Sequence, residues 1–148
     1  MKLLRFRTPL ERSADRGQAL VEFALVLVPF LVLLFGAIDV GRGIYAMNGT
    51  AQAAREIARE ASVNCCNFSS SSEVQGTIQV QRNLIPGLQI NPATDIACVD
   101  LADVVQANCL PGEHYVRVRV RAAFTPVTPI VSGVGAHTFE SYSRVSIP

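Results

Sequence analysis

The chain has 148 residues, carries 13 Lys and Arg against 12 Asp and Glu, and is 49% apolar. A net charge of +1 gives no drive toward nucleic acid as a partner. Once a leader and a membrane segment are set aside, the length leaves room for one small outer domain, and a core of that size is marginal by itself.

Residues 1–17 are polar and basic, with Lys2, Arg5, Arg7, Arg12 and Arg16 against Glu11 and Asp15. Thr8-Pro9 and Ser13 give no helical continuity, so this stretch reads as an unfolded leader. From Phe23 to Ile38 no charged or polar side chain occurs, and counting back to Ala19 gives 20 residues with Glu22 as the only charge. As a helix rising about 1.5 Å per residue, that is roughly 30 Å, the thickness of a bilayer core. The basic leader predicts a cytoplasmic N-terminus and a translocated C-terminal part. A secretory signal would have a shorter apolar region and a small-residue cleavage site. Gly41-Arg42-Gly43, the one candidate nearby, lacks that context. A carboxylate inside a membrane helix is costly, so Glu22 needs a reason.

Gly17, then four residues, then Glu22 and the aromatic Phe23, opening a membrane helix, resembles the processing site of type IVb prepilins. The stretch from Arg16 to Pro29 is similar to the TadE-like pseudopilins of the tight-adherence (Flp) pilus system. The resemblance implies a prepilin peptidase that cuts Gly17–Gln18, leaving Glu22 as the fifth residue of the mature chain. Phe23 stands where the family often has Tyr. The resemblance extends to about residue 62, and beyond that rests on the Arg/Val strand and Thr125-Pro126-Val127-Thr128-Pro129.

A helix is expected from Gln18 to about Ser62, with 18–38 as the transmembrane part and 39–62 as its amphipathic extension. Pro29 deletes one backbone hydrogen bond and predicts a kink. This is either a plain kinked span or, by the pilin resemblance, a weak point for stretching during assembly. In the extension, Val40, Ile44, Met47, Ala51, Ala54, Ala58 and Ala61 recur at alternating spacings of four and three, a seam of coiled-coil period. The seam can receive the protein's own sheet or a neighbouring helix, one use at each end. Gly41, Gly43, Asn48 and Gly49 predict a bend near Gly49.

Residues 63–148 are read as a disulfide-stabilised α+β domain. Cys65 to Ser72 is a loop. Glu73 to Leu84 reads as a short helix with Ser72 as N-cap and Val74, Ile78 and Ile85 inward. Pro86-Gly87 ends it. Strands follow at Ile96 to Leu101, with Ala97, Val99 and Leu101 on one face, at Tyr115 to Phe124, and at about Thr138 to Ile147. The second alternates Val116, Val118 and Val120 with Arg117, Arg119 and Arg121, one face buried and one wet. The third has Phe139, Val145 and Ile147 on its apolar face. The fold class is therefore α+β and pilin-like: a long N-terminal helix, membrane-spanning in its first half, packed on a small antiparallel sheet.

Cys65, Cys66, Cys98 and Cys109 all fall on the translocated side, where an even count favours disulfides. Adjacent cysteines close a strained ring, so Cys65 and Cys66 are each expected to pair with Cys98 or Cys109. A zinc site would want two Cys-x-x-Cys knuckles, and neither is present. Asn48-Gly49-Thr50 and Asn67-Phe68-Ser69 fit a glycosylation sequon, a short match that arises often by chance. His114 and His137 have no Cys or Asp at ligand spacing, and no catalytic motif is found. No enzyme activity, cofactor or metal is expected.

Two functions fit. The first is a structural one, implied by the resemblance: a minor pilin or pseudopilin of the bacterial inner membrane, or one that enters an extracellular pilus. Its partners would be a prepilin peptidase, the major pilin and other pseudopilins, an inner-membrane platform with its assembly ATPase, and membrane lipid. In that family Glu22 would pair with a neighbour's new N-terminal amine. The second is an uncleaved single-span module whose outer domain binds a ligand, with the Arg117, Arg119 and Arg121 stripe as its contact surface.

Overall fold

The computed structural model describes the backbone from Pro9 and the side chains from Gly17, with Cys66, Ser69 and residues 129–134 outside the description. Helix α1 runs unbroken from Pro9 to Val63, 55 residues, with Pro29 inside it. The described helix already includes Pro9 to Gly17, ahead of the expected start at Gln18, so that part of the leader is helical. Gly49 is a place of close approach rather than a break in the helix. A Cβ there would lie 3.1 Å from Ile85 Cγ1.

Helix α2, Ser72–Leu84, packs on α1 through Val74 and Ile78. Ser71 caps it, accepting from the Val74 N–H at 3.4 Å. The cap lies one residue before the expected Ser72, a shift that a run of four serines conceals. Beyond α2 come β1 (Leu88–Gln89), the single-turn α3 (Pro92–Asp95), β2 (Ile96–Val99), β3 (Tyr115–Phe124) and β4 (His137–Ser146). All pairings are antiparallel and all involve β3. One edge of β3 carries β1 opposite Arg121 and Ala122, and β2 opposite residues 115–118. The other edge pairs along its whole length with β4. The fold is the expected α+β plan of a long apolar helix on a small antiparallel sheet.

The alternation in β3 sets the core. Val116, Val118, Val120 and Ala122 are fully buried and meet Ala53, Ala54, Ile57, Ala58 and Ala61 of α1. Burying each such valine is worth roughly 1.5–3 kcal/mol. Alanines on the helix let the sheet approach closely, and Ile57 fills the centre.

The seam divides along its length: Ala54, Ala58 and Ala61 are buried against the sheet, whereas Val40, Ile44 and Met47 are more than half exposed. Over that part of α1 the inward face is Asp39, Gly43, Ala46 and Thr50, one residue out of register with the apolar count. Two expectations are corrected. In β2 the residues that join the core are Ile96 and Cys98, opposite Val118 and Val116, although Val99 on the other face is also fully buried. Leu101 is 74% exposed, beyond the strand's end. Finally, Cys98 bonds Cys109. Neither is therefore available to Cys65 or Cys66. Cys65 is itself disulfide-bonded, while Cys66 lies outside the described residues. Cys98 and Cys109 sit at the two ends of one loop, so the bridge is local.

Candidate functional site

Three groups of residues carry the chemistry. The first is the N-terminal end of the apolar run. Gly17, Gln18, Glu22 and Phe23 all lie on α1 and all are exposed. Gln18 and Glu22 are one turn apart, and Gln18 Nε2 donates to Glu22 Oε1 at 3.1 Å. A Cβ at Gly17 would touch nothing within 4 Å, so close packing within the chain does not explain this glycine. The apolar helix behind it has a window of mean hydropathy 2.6, none of it buried by the rest of the chain. This one helix is long and apolar enough to cross a membrane.

The second group lies at the other end of that run. Asp39 follows Ile38 and is buried, only 2% exposed. Its carboxylate accepts from the backbone N–H of Val127 (2.9 Å) and of Thr128 (2.7 Å), from the Thr128 hydroxyl (2.7 Å), and from Arg42 (3.2 Å). The hydroxyl of Thr128 does most to favour the charged form, its N–H next, and the pKa is pulled down to about 2. The Thr125–Thr128 segment is thereby pinned to the helix; the rest of its expected motif, Pro129, lies outside the described residues. Arg42 also lies over Phe124, 5.7 Å from the ring centre. About three turns beyond Asp39, Thr50 Oγ1 bonds Ser141 of β4 at 3.2 Å. Sequence reasoning missed Asp39. The signal present was a lone acid directly after an apolar run, with two threonines in the distant segment able to donate to it.

The third group is the arginine stripe on the outer face of β3. Arg117 meets Asp103 at 2.7 Å, Arg121 meets Asp95 at 3.0 Å, and Arg119 pairs with Glu140. Asp95 is buried and also accepts from the Asn91 N–H at 2.7 Å. Arg144 stacks on Tyr115. The stripe is thus neutralised by its own domain. His114 Nδ1 accepts from the Leu110 N–H at 3.0 Å, bracing the β2–β3 loop.

An exposed apolar helix, continuous with a second half that carries a small antiparallel sheet, defines an α+β protein of pilin-like plan with a helix able to cross a membrane. Residues 17–59 match the family model described as TadE-like protein, so this stretch of the helix is similar to that family. The match begins at Gly17 and takes in Glu22, Asp39, Thr50 and the buried alanines through Ala58, ending before the sheet. No curated protein and no solved structure matches the chain.

Proposed function

We propose that this chain is a minor pilin or pseudopilin of a tight-adherence pilus, cut by a prepilin peptidase between Gly17 and Gln18. The observation that carries the reading is the start of the TadE-like match at Gly17, directly before an apolar helix that nothing in the chain covers. The chain sits in the bacterial inner membrane with its N-terminus cytoplasmic and the sheet domain outside. Cleavage creates an α-amine on Gln18, one turn before Glu22. In the single chain the Glu22 carboxylate already accepts from the Gln18 amide. A neighbour's α-amine would replace a neutral donor with a charged one, a stronger partner where water is scarce. Partners in this reading are the peptidase, the major pilin and other pseudopilins, and the inner-membrane platform with its ATPase.

The paired state of Arg117, Arg119 and Arg121 supports this reading over a ligand-binding module, because the stripe's charges are already met within the domain. The test is the intact mass and N-terminus of native protein extracted from membranes. A chain starting at Gln18 in wild type, and at Met1 in Gly17→Ala, is the expected result. A wild-type chain starting at Met1 in cells with an active prepilin peptidase overturns it.

A further inference from the structure

Beside Asp39 the chain forms a cleft of about 610 Å³ between α1, the turn after α2 and the end of β3. That volume is typical of a small-ligand site. Ile38, Ala46, Pro86 and Phe124 supply apolar wall, and Arg42 supplies the charge. Within the sequence, Arg42 is the only Lys or Arg between Arg16 and Arg55. Its side chain is half exposed. Its Nη1 forms an ion pair with Asp39 at 3.2 Å; that carboxylate also takes donors from Val127 and Thr128, and among the described residues no acceptor meets the other guanidinium N–H groups. The guanidinium therefore keeps donors for a further anion.

The position of the cleft narrows the choice of anion. Ile38 is the last residue of the apolar run, and Arg42 is one turn on, about 6 Å along the axis. If α1 is the membrane anchor, Arg42 lies at headgroup depth and Ile38 in the hydrocarbon. Tyr45, more than half exposed, anchors its hydroxyl on the Leu84 carbonyl at 3.0 Å, the placement that interfacial aromatics favour. Ile38, which lines the cleft, is 51% exposed. An apolar rim beside a single cation suits a ligand with a phosphate at one end and a hydrocarbon chain at the other.

We infer that this cleft binds one anionic glycerophospholipid of the outer leaflet, its phosphate on Arg42 and an acyl chain running down past Ile38 and Leu34. The inference rests on the reading of α1 as the membrane anchor. It assigns the cleft a ligand and makes Arg42 a binding residue.

The test uses the full chain in phosphatidylcholine vesicles doped with phosphatidylglycerol. Flotation after a carbonate wash establishes anchoring, and native mass spectrometry of the mildly extracted protein counts the lipid retained. Two variants are compared. Arg42→Gln removes the charge. Gly41→Phe fills the cleft from a position where a Cβ meets nothing within 4 Å, leaving Arg42 and Asp39 in place. Near-ultraviolet circular dichroism checks that each is folded. The wild type should retain phosphatidylglycerol over phosphatidylcholine by about fivefold, the worth of one basic residue at an anionic surface, and both variants should lose that preference. Floated wild type without the preference, or variants that keep it, overturns the lipid site alone. Displacement of the lipid by excess inorganic phosphate shows a free-phosphate site and overturns it too. A chain that fails to float overturns the anchor reading and the inference with it.

Discussion

Thr128 holds the Asp39 carboxylate twice, through its backbone N–H and through its hydroxyl, both at 2.7 Å and from 89 positions away in the chain. The contact closes the β3–β4 connection onto α1 where the apolar run stops. Next to it the Phe124 ring lies beside Gly43 and under Arg42, so the end of β3 and the first residues after it are held to the same stretch of helix.

Asp39→Asn keeps the shape of the side chain and removes its charge. One of the two oxygens becomes a donor facing the N–H groups of Val127 and Thr128. Hydrogen exchange at those two amides should rise by about tenfold or more, as expected for hydrogen bonds to an ionised acceptor. The β3–β4 ladder above Thr50 should exchange as before. Unchanged protection at Val127 and Thr128 would show that the loop is held by something else.

The same contact predicts an acid response. The folded pKa of Asp39, about 2, lies below the ordinary value of 3.8. In that interval the unfolded state binds more protons, so stability rises with pH. The contribution is fully present above about pH 4 and is lost as pH falls toward 2. Asp100 is also held low, chiefly by the Val104 N–H, and contributes with the same sign. Loop protection followed by exchange should fall between these limits in wild type and be flat in Asp39→Asn.

Cys98→Ser with Cys109→Ser should destabilise the outer domain by up to about 3 kcal/mol, from the closure of a loop with a sequence separation of 11. The fold should survive, because Ile96, Val116 and Val118 keep their packing. A urea titration of the oxidised and double-serine forms measures the difference.

Asp95→Ala should cost about 2 kcal/mol, below the range for a fully buried pair because Arg121 and Arg119 remain partly exposed. It removes the partner of Arg121 and the acceptor for the Asn91 N–H together. Asp95→Asn should cost less, since it retains an acceptor. Equal losses in the two would place the effect in the charge alone.

Glu22→Ala should still be processed at Gly17 but fail to enter pili. Sheared pili and membranes from the same cells, probed for the chain, measure both. Normal incorporation would remove the pairing role from Glu22.

The strongly periodic segments were legible in the residues. The Arg/Val alternation predicts β3 residue for residue, and the apolar run predicts the long helix. β1 and α3 were not, being two and four residues long, too short for any period to show. The inward face of α1 between Asp39 and Thr50 was not legible, because Asp39, Gly43 and Thr50, which lie on it, are not apolar. Their burial is made possible by Thr128, Phe124 and Ser141, partners that lie far along the chain. The cysteine pairing failed for a related reason. Four cysteines allow several connectivities, and only the fold brings Cys109 back beside Cys98.

The sheet domain grips the helix from Asp39 to Ala61 with no hinge between them, so it cannot swivel. Its compass bearing around the helix axis is locked to that of Glu22 and Phe23. Each residue of an α-helix turns the chain by about 100°. A single alanine inserted after Phe35 would therefore swing the whole domain about a quarter of the way round relative to the N-terminal end, while leaving every contact within it intact. If copies of this chain assemble through their N-terminal helices, that one insertion would point every outer domain in the wrong direction.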